Sequence, residues 1–586
     1  MNDLIGLSDE LRSLFLRYLD SFLPLQDNQL MDERRQLLEA SGVLHQSPIV
    51  EPLPSYPSGD SLADLCQQLG ITNDLPEFAR CGLFDRESLY VHQCDAIRSA
   101  LSRDQKHIVV TTGTGSGKTE CFLVPLFSRV LDDLQRHRGR VRPRGLRSLL
   151  LYPLNALAED QVTRIREAAD GAGEDGAREW LDTNCEDRIF FGRYNGTTPV
   201  AGRRGRSGPQ NRHRARRREL IEQARLVNAD SDLRYFFPSM GTESGDVSES
   251  SEMWDRWSMQ DAPPDLLITN YSMLNIMLMR GIEASIFDET RDWLENDSEA
   301  IFSLVVDELH TYRGTAGTEV AYLLRQFLDR IGLSPDSPQL RIMASSASMD
   351  GDGGAYDYLR EFFGVSNPSE KFDIIEGDRQ RIEVRSPQPL ASAATAFENF
   401  SNALRDTPND LPEGTVQDLA DELGLAGEFS SNPAGLAEVL AQSDSIAAVQ
   451  ETADEQSNAE LFETFARRVF SGSENYLAGG RGLLQALSLA RISNARNAPA
   501  PLPVRGHLFY RNLFGIWACS DPNCCGEQRA SNVGRLYSRP RMRCECGGRV
   551  LDLLACQCCG DIFLGGYCSD IGGSTFLVHD LSLIHI

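Results

Sequence analysis

TTGTGSGKTE, residues 111–120, decides the fold. Three glycines alternate with small residues and lead into lysine and threonine. Such a loop lets backbone amides crowd around phosphate oxygens without Cβ clashes. Upstream, Ile108-Val109-Val110 reads as a short buried strand; downstream, CFLVPLFSRVLDDL (121–134) reads as a helix with one apolar face. Strand, glycine loop and helix together give the pattern a mechanism. Thr112, Gly113, Thr114, Gly115, Ser116 and Gly117 would cradle the phosphates of a bound nucleotide, helped by the positive end of the helix. Lys118 would neutralise the β- and γ-phosphates, and Thr119 would hold Mg2+. The implied fold is α/β: a P-loop lobe built on a mostly parallel sheet with helices on both faces.

A phosphate cradle needs a second, acidic site for the metal and the attacking water. SLVVDELH (303–310) supplies it: four residues of buried-strand character, then two acids. Asp307 would hold Mg2+ through its water shell, and Glu308 would polarise the attacking water. His310 would couple this site to a neighbouring polar group.

Composition bounds the rest. The 586 residues are 41% hydrophobic and 24% charged, enough for several domains of ordinary globular character. No apolar run approaches the roughly 20 residues that cross a bilayer. The N-terminus reads as an amphipathic helix rather than a signal peptide, so a cytoplasmic protein with no membrane partner is expected. The net charge of −27 argues at first against nucleic acid, but two local stripes run the other way. Residues 136–147 carry six arginines and no acid, and residues 203–218 carry eight and no acid.

Further motifs sharpen the reading. LYVHQ (89–93), LLLYPLNALAEDQ (149–161), LLITNYSML (266–274) and Ser346-Ala347-Ser348 follow the expected order around the phosphate loop and DELH. The set resembles motifs Q, I, Ia, Ib, II and III of superfamily 2 DExH-box helicases. The spellings LYVHQ, YPLNALAEDQ, TNYSML and DELHTYRG resemble the MrfA/YprA-like branch, which includes the large anti-phage helicases of Druantia and DISARM type. The motif-bearing resemblance covers roughly 80–350. It implies a RecA-like lobe 1, ATP and Mg2+ as cofactors, and Gln93 reading the adenine edge. It also implies Ser346 and Ser348 coupling hydrolysis to movement, with serine standing where the motif usually ends in threonine. DNA, single-stranded or forked, would be gripped by its backbone through Pro153, Asn155, Thr269 and Asn270, with Arg193 a weaker candidate. The activity implied is that of an ATP-dependent DNA helicase or translocase in repair or phage defence, alongside other proteins of such a system. The rivals are a double-strand translocase that never unwinds and a nucleotide-gated scaffold.

Around the lobe, residues 1–80 read as a helical extension with a proline-rich linker, 81–365 as the lobe and 366–500 as an acidic helical subdomain. Residues 501–580 read as a zinc module. Nine of the 14 cysteines lie between Cys519 and Cys568, too lopsided for a disulfide framework. Tetrahedral Zn2+ wants four thiolates in close pairs. Cys519, Cys524, Cys544 and Cys546 are the first choice; Cys544 and Cys546 with Cys556 and Cys559 are the second. No motif VI pattern follows, so the second lobe such a motor needs is expected beyond this chain. LSLIHI (581–586) matches the translation of a transposon-end sequencing adapter, and we expect it to be an artefact of cloning.

Overall fold

The computed structural model describes all residues except 1–2, 23–24, 41, 54–55, 85–87, 103, 105, 114, 172–175, 203–206, 228–234, 239–249, 348, 350–352, 379–390, 406–410, 447–448, 450–458, 492–501, 514, 525–531, 557, 572–573 and 579–586. The expected artefact 581–586 thus lies outside the described residues. Two compact units result: Pro54–Gln380, and Met1–Leu53 together with Arg381–Ile586.

The first unit is built on seven strands: β1 (His107–Thr111), β2 (Ser148–Tyr152), β3 (Phe191–Tyr194), β4 (Leu266–Asn270), β5 (Phe302–Val306), β6 (Leu340–Ser346) and β7 (Phe372–Glu376). They lie in the order β3-β4-β2-β5-β6-β1-β7, every neighbouring pair parallel. The near-continuous apolar runs of β1, β2 and β5 follow from burial on both faces. Ile108, Val110, Leu150 and Tyr152 pack into one core, while Val109, Leu149 and Leu151 pack into the other. The helix after the glycine loop, Lys118–Arg136, fills the first core with Phe122, Leu126 and Phe127. This is the α/β class read from the loop.

The unit's limits differ from the expected 81–365. Leu62, Leu65 and Cys66 of the helix Leu62–Leu69 belong to the sheet's own core, so the boundary falls before them. At the other end, FDIIE (372–376) is the seventh strand, paired with β1.

In the second unit, Ile49–Pro52 pairs antiparallel with Val504–His507, which ties the N-terminal residues to the C-terminal half. A helical cluster formed by Ala391–Ala403, Thr415–Glu422, Pro433–Gln442, Phe462–Val469 and Tyr476–Arg491 buries Phe397, Leu436, Phe465 and Leu483. The helices Ala391–Ala403 and Tyr476–Arg491 approach so closely that a Cβ on Gly482 would sit 1.9 Å from the carbonyl oxygen of Phe397. The cysteine-rich end is a four-stranded antiparallel sheet: Leu536–Tyr537, Trp517–Cys519, Val550–Ala555 and Ile562–Gly565. Among the described residues no helix is long and apolar enough to cross a membrane.

Candidate nucleotide and nucleic-acid sites

The glycine loop joins the end of β1 to the start of the helix Lys118–Arg136. Gly115 (φ +78°) and Gly117 (φ +74°) take the left-handed conformation that turns the chain into the helix. A Cβ at Gly117 would meet Gln93 Nε2 at 2.3 Å, so the position has no room for a side chain either. Gln93 is buried and bonded at both ends: its Oε1 accepts from Tyr90 N–H (2.8 Å), and its Nε2 donates to Gly117 O (2.9 Å). The first bond caps the helix Val91–Leu101, and the second braces the phosphate loop. Beside it, His92 Nε2 lies 2.9 Å from Ser116 O, and burial lowers the imidazole's pKa. Thr112 and Ser116 hydroxyls bond to one another within the loop. Lys118 Nζ donates back to Thr112 O at 3.1 Å, spanning the loop it closes. Thr119 sits in the first turn of the helix; Thr114 lies outside the described residues.

DELH stands at the end of β5, separated from β1 only by β6. Two strand spacings, about 10 Å, therefore bring its acids beside the loop. The Asp307 carboxyl is pushed above its ordinary value, first by burial and next by the Glu308 charge, while Ser345 and Lys118 pull it down. Glu308 takes a left-handed φ of +52°, unfavourable for a side-chain-bearing residue. Its amide is satisfied by Ser345 Oγ at 3.1 Å, and the same hydroxyl donates to Asp307 Oδ1. Ser345 is fully buried at the end of β6 and was absent from the sequence reading, which chose Ser346 and Ser348. Alternation along β6 turns neighbouring side chains to opposite faces, so Ser345 faces the acids. Ser346 is also buried and registers with Thr111 of β1; Ser348 lies outside the described residues. His310 Nδ1 accepts from Ala347 N–H at 3.2 Å and lies 3.3 Å from Glu308 Oε2. Accepting from Ala347 N–H occupies the Nδ1 lone pair, so this nitrogen does not at the same time donate to Glu308.

At the carboxyl ends of β2, β3 and β4, Asn155 Oδ1 accepts from Asn270 Nδ2 (2.7 Å) and from Asn195 Nδ2 (3.3 Å). Asn155 begins the helix after Pro153, and Asn270 caps the next one through Met273 N–H. Asn195 was not among the expected residues; it follows RY in the loop after β3. Thr269 is buried and gives its hydroxyl to Tyr194 O (2.6 Å), so it shapes the site from within. Arg193 forms an ion pair with Glu159.

The two arginine stripes have different fates. In 136–147, Arg147 is buried against Asp133, and Arg142 meets Asp265 at 2.9 Å and Asp187 at 3.1 Å. Arg136 pairs with Asp297 and Arg138 with Glu186. That stripe braces the fold. The second stripe runs into the helix Ser207–Val227; residues 203–206 lie outside the described residues.

In the other unit, the sulfurs of Cys519, Cys524, Cys544 and Cys546 all lie within 4.8 Å of one another. Cys519 and Cys546 approach to 3.5 Å, Cys524 and Cys544 to 3.3 Å. Four thiolates about 2.3 Å from one tetrahedral Zn2+ stand about 3.8 Å apart, so the set fits. Gly548 N–H points at Cys546 Sγ (3.5 Å), and a Cβ on Gly548 would strike Cys519 Sγ at 2.6 Å. Tyr537 Oη lies 3.1 Å from Cys544 Sγ. Among the described residues Cys556 and Cys559 join no such cluster; Cys559 Sγ turns to Asp561 Oδ2 at 3.2 Å.

Residues 90–182 match the model of the DEAD/DEAH box helicase family, and 536–582 match the YjiV N-terminal domain. The Druantia protein DruE of Escherichia coli (strain UMEA 4076-1) is 31% identical over 96% of this chain and 33% of its own length. The uncharacterized ATP-dependent helicase YprA of Bacillus subtilis (strain 168) is 24% identical over 59% of this chain and 31% of its own. The chain thus spans about a third of the length of these relatives. A crystal structure of the DUF1998 helicase MrfA bound to DNA aligns with TM-score 0.32 at 16% identity, over 67% of this chain and 43% of that one.

Proposed function

The chain belongs to the superfamily 2 DExH-box helicases, in their MrfA/YprA-like branch, and we propose that it is the first motor lobe of an ATP-dependent DNA helicase or translocase. The observation that carries this is the Ser345 bridge. One buried hydroxyl holds both acids of DELH beside the loop that carries Lys118.

Thr119 and Asp307 would hold Mg2+, which when bound neutralises triphosphate charge and orients its oxygens. Lys118 exchanges the Thr112 carbonyl for a phosphate oxygen. Glu308 orients the attacking water and takes its proton on the carboxylate. His310, one bond from Ala347 N–H, links that carboxylate to the end of β6, where movement would be sensed. Ser346 and Ser348 would share in that coupling, and Gln93 would sense the nucleotide through Gly117. Pro153, Asn155, Asn195 and Asn270 would take backbone phosphates, with Thr269 as their internal support. Cys519, Cys524, Cys544 and Cys546 would hold a structural Zn2+. The likeness to a Druantia protein favours phage defence over repair.

The test is an ATPase titration of the full-length protein with single-stranded, double-stranded and forked DNA, and with RNA. Hydrolysis should be stimulated most by single-stranded or forked DNA. Lys118→Ala should abolish turnover, and Glu308→Gln should trap bound ATP. Normal hydrolysis in either variant would overturn the site, and stimulation by RNA alone would overturn the substrate.

A further inference from the structure

The helix Ser207–Val227 is an insertion in the crossover between β3 and β4, and the motor parts described above make no use of it. Its spacing sorts its residues into two faces. His213, Arg217 and Leu220 recur every three to four residues and turn inward; Arg214 and Arg218, one turn apart, share the exposed face, and Arg212, also exposed, stands at its opposite flank.

The inner face is pinned by aromatic packing. The His213 ring stacks between Trp254 (4.9 Å, 27°) and Trp257 (5.2 Å, 20°). Its Nε2 lies 3.5 Å from Asp255 Oδ2, and Leu220 packs on Trp254 two turns further on. The same segment reaches the loop after β3. Trp257 Nε1 donates to Gly202 O (2.8 Å), and Arg256 Nη2 donates to Asn195 O (2.7 Å). Asn195 in turn contacts Asn155. An unbroken chain of contacts thus runs from the helix to the asparagines at the carboxyl ends of β2, β3 and β4.

We propose that the exposed side of this helix is a second nucleic-acid contact, a rail formed by Arg214 and Arg218 with Arg212 at its flank, that takes the phosphate backbone of the strand gripped at the asparagines. The proposal rests on the motor reading above. Charge complementarity selects the occupant: in a chain of net charge −27, residues 203–218 hold eight arginines and no acid, and the exposed Glu219 and Glu222 that follow leave the N-terminal half of the helix strongly basic. Arg212 and Arg218 are separated by about 9 Å of helix rise. That spans two to three phosphates of a strand, which recur about every 3.4 Å along the duplex axis. The guanidinium fork suits phosphate oxygens, and none of the contacts requires a particular base.

The experiment compares the full chain with Arg212→Ala/Arg214→Ala/Arg218→Ala. Binding to a fluorescein-labelled 30-nucleotide oligo-dT is read by anisotropy from about 50 to 300 mM KCl. With about 0.7 counterions released per neutralised phosphate, the triple variant should lose about two from the slope of log K against log salt. Its affinity should fall about 50-fold at 0.15 M. The corresponding triple lysine variant should recover most of the slope, because charge carries the contact. An unchanged thermal midpoint shows that the fold is intact. If the wild-type chain binds with a steep slope and the alanine variant matches it, the rail is overturned while the motor reading stands. If the wild-type chain binds no DNA at all, the motor reading falls and the rail with it. Loss of polyglutamate binding with DNA binding unchanged would also overturn the rail, assigning the face to an acidic protein.

Discussion

Replacing Ser345 by alanine should damage the metal site without touching any residue of the DELH signature. The hydroxyl makes two bonds, one donated to the Asp307 carboxylate and one accepted from Glu308 N–H. A hydrogen bond to a charged group contributes about 1.5–3 kcal/mol, and stranding a buried amide costs about 1–3 kcal/mol. The losses share one atom and are not additive, so the expected destabilisation is about 2–4 kcal/mol. Glu308 also loses what offsets its left-handed backbone. The functional loss follows the behaviour of groups that orient metal ligands, about 10–100-fold in metal affinity or activity. The assay titrates Mg2+ against binding of a fluorescent ATP analogue, with chemical denaturation run alongside. Ser345→Thr keeps the hydroxyl and should retain most of both. If Ser345→Ala shifts neither the Mg2+ midpoint nor the denaturation midpoint, the bridge holds nothing and the geometric argument for the cleft fails. If stability falls but the Mg2+ midpoint does not move, Ser345 is merely a packing residue.

Two further outcomes follow from the same geometry. Because the folded-state Asp307 carboxyl is raised, the native chain holds its proton more tightly than the unfolded chain does, so this group's contribution to stability is lost as pH rises from about 4 through the folded value. In metal-free buffer Asp307→Asn should therefore unfold at higher temperature than wild type at pH 7, and the gap should close toward pH 3–4; a lower midpoint at pH 7 would contradict the burial argument. For the cysteine cluster, elemental analysis of purified protein should find about one zinc per chain. Cys544→Ser should abolish it and Cys556→Ser/Cys559→Ser should not, whereas the opposite result would move the site to the second pairing.

Much of the lobe was legible because its chemistry is local. A phosphate loop must be spelled contiguously, and so must a strand that ends in two acids. Long-range partners are not spelled that way. Ser345 acts through strand order, which places β6 between the two signature loops, and nothing in SSAS marks the first serine over the second. Asn195 is a loop residue whose partner is 40 positions away. The strand FDIIE was passed over because five residues after a proline carry too short a pattern to tell a seventh strand from a turn. The unit starts before the expected 81 because Leu62, Leu65 and Cys66 reach the sheet's core through tertiary packing that no local pattern marks.

The two arginine stripes make the same point about charge. Both are long, basic and free of acids, and composition ranks them alike. The stripe 136–147 meets Asp133, Asp187, Asp265 and Asp297, three of which come from distant segments, so part of its charge is paired within the fold, most deeply at Arg142 and Arg147, while Arg140 and Arg144 stay exposed. The helix Ser207–Val227 instead presents Arg214 and Arg218 one turn apart on its exposed face. Like charges at that spacing destabilise a helix by about 0.2–0.5 kcal/mol. That cost is small beside the aromatic clamp on His213, which holds the helix in place despite it. Fixed arginines repelling one another across a single turn are relieved by an anion laid along them. A polyanion does this better than separate ions, because its counterions are released on contact. The rigid inner face and the repulsive outer face therefore point to one outcome: nucleic acid should raise the stability of this insertion at low salt, and high salt should remove the gain.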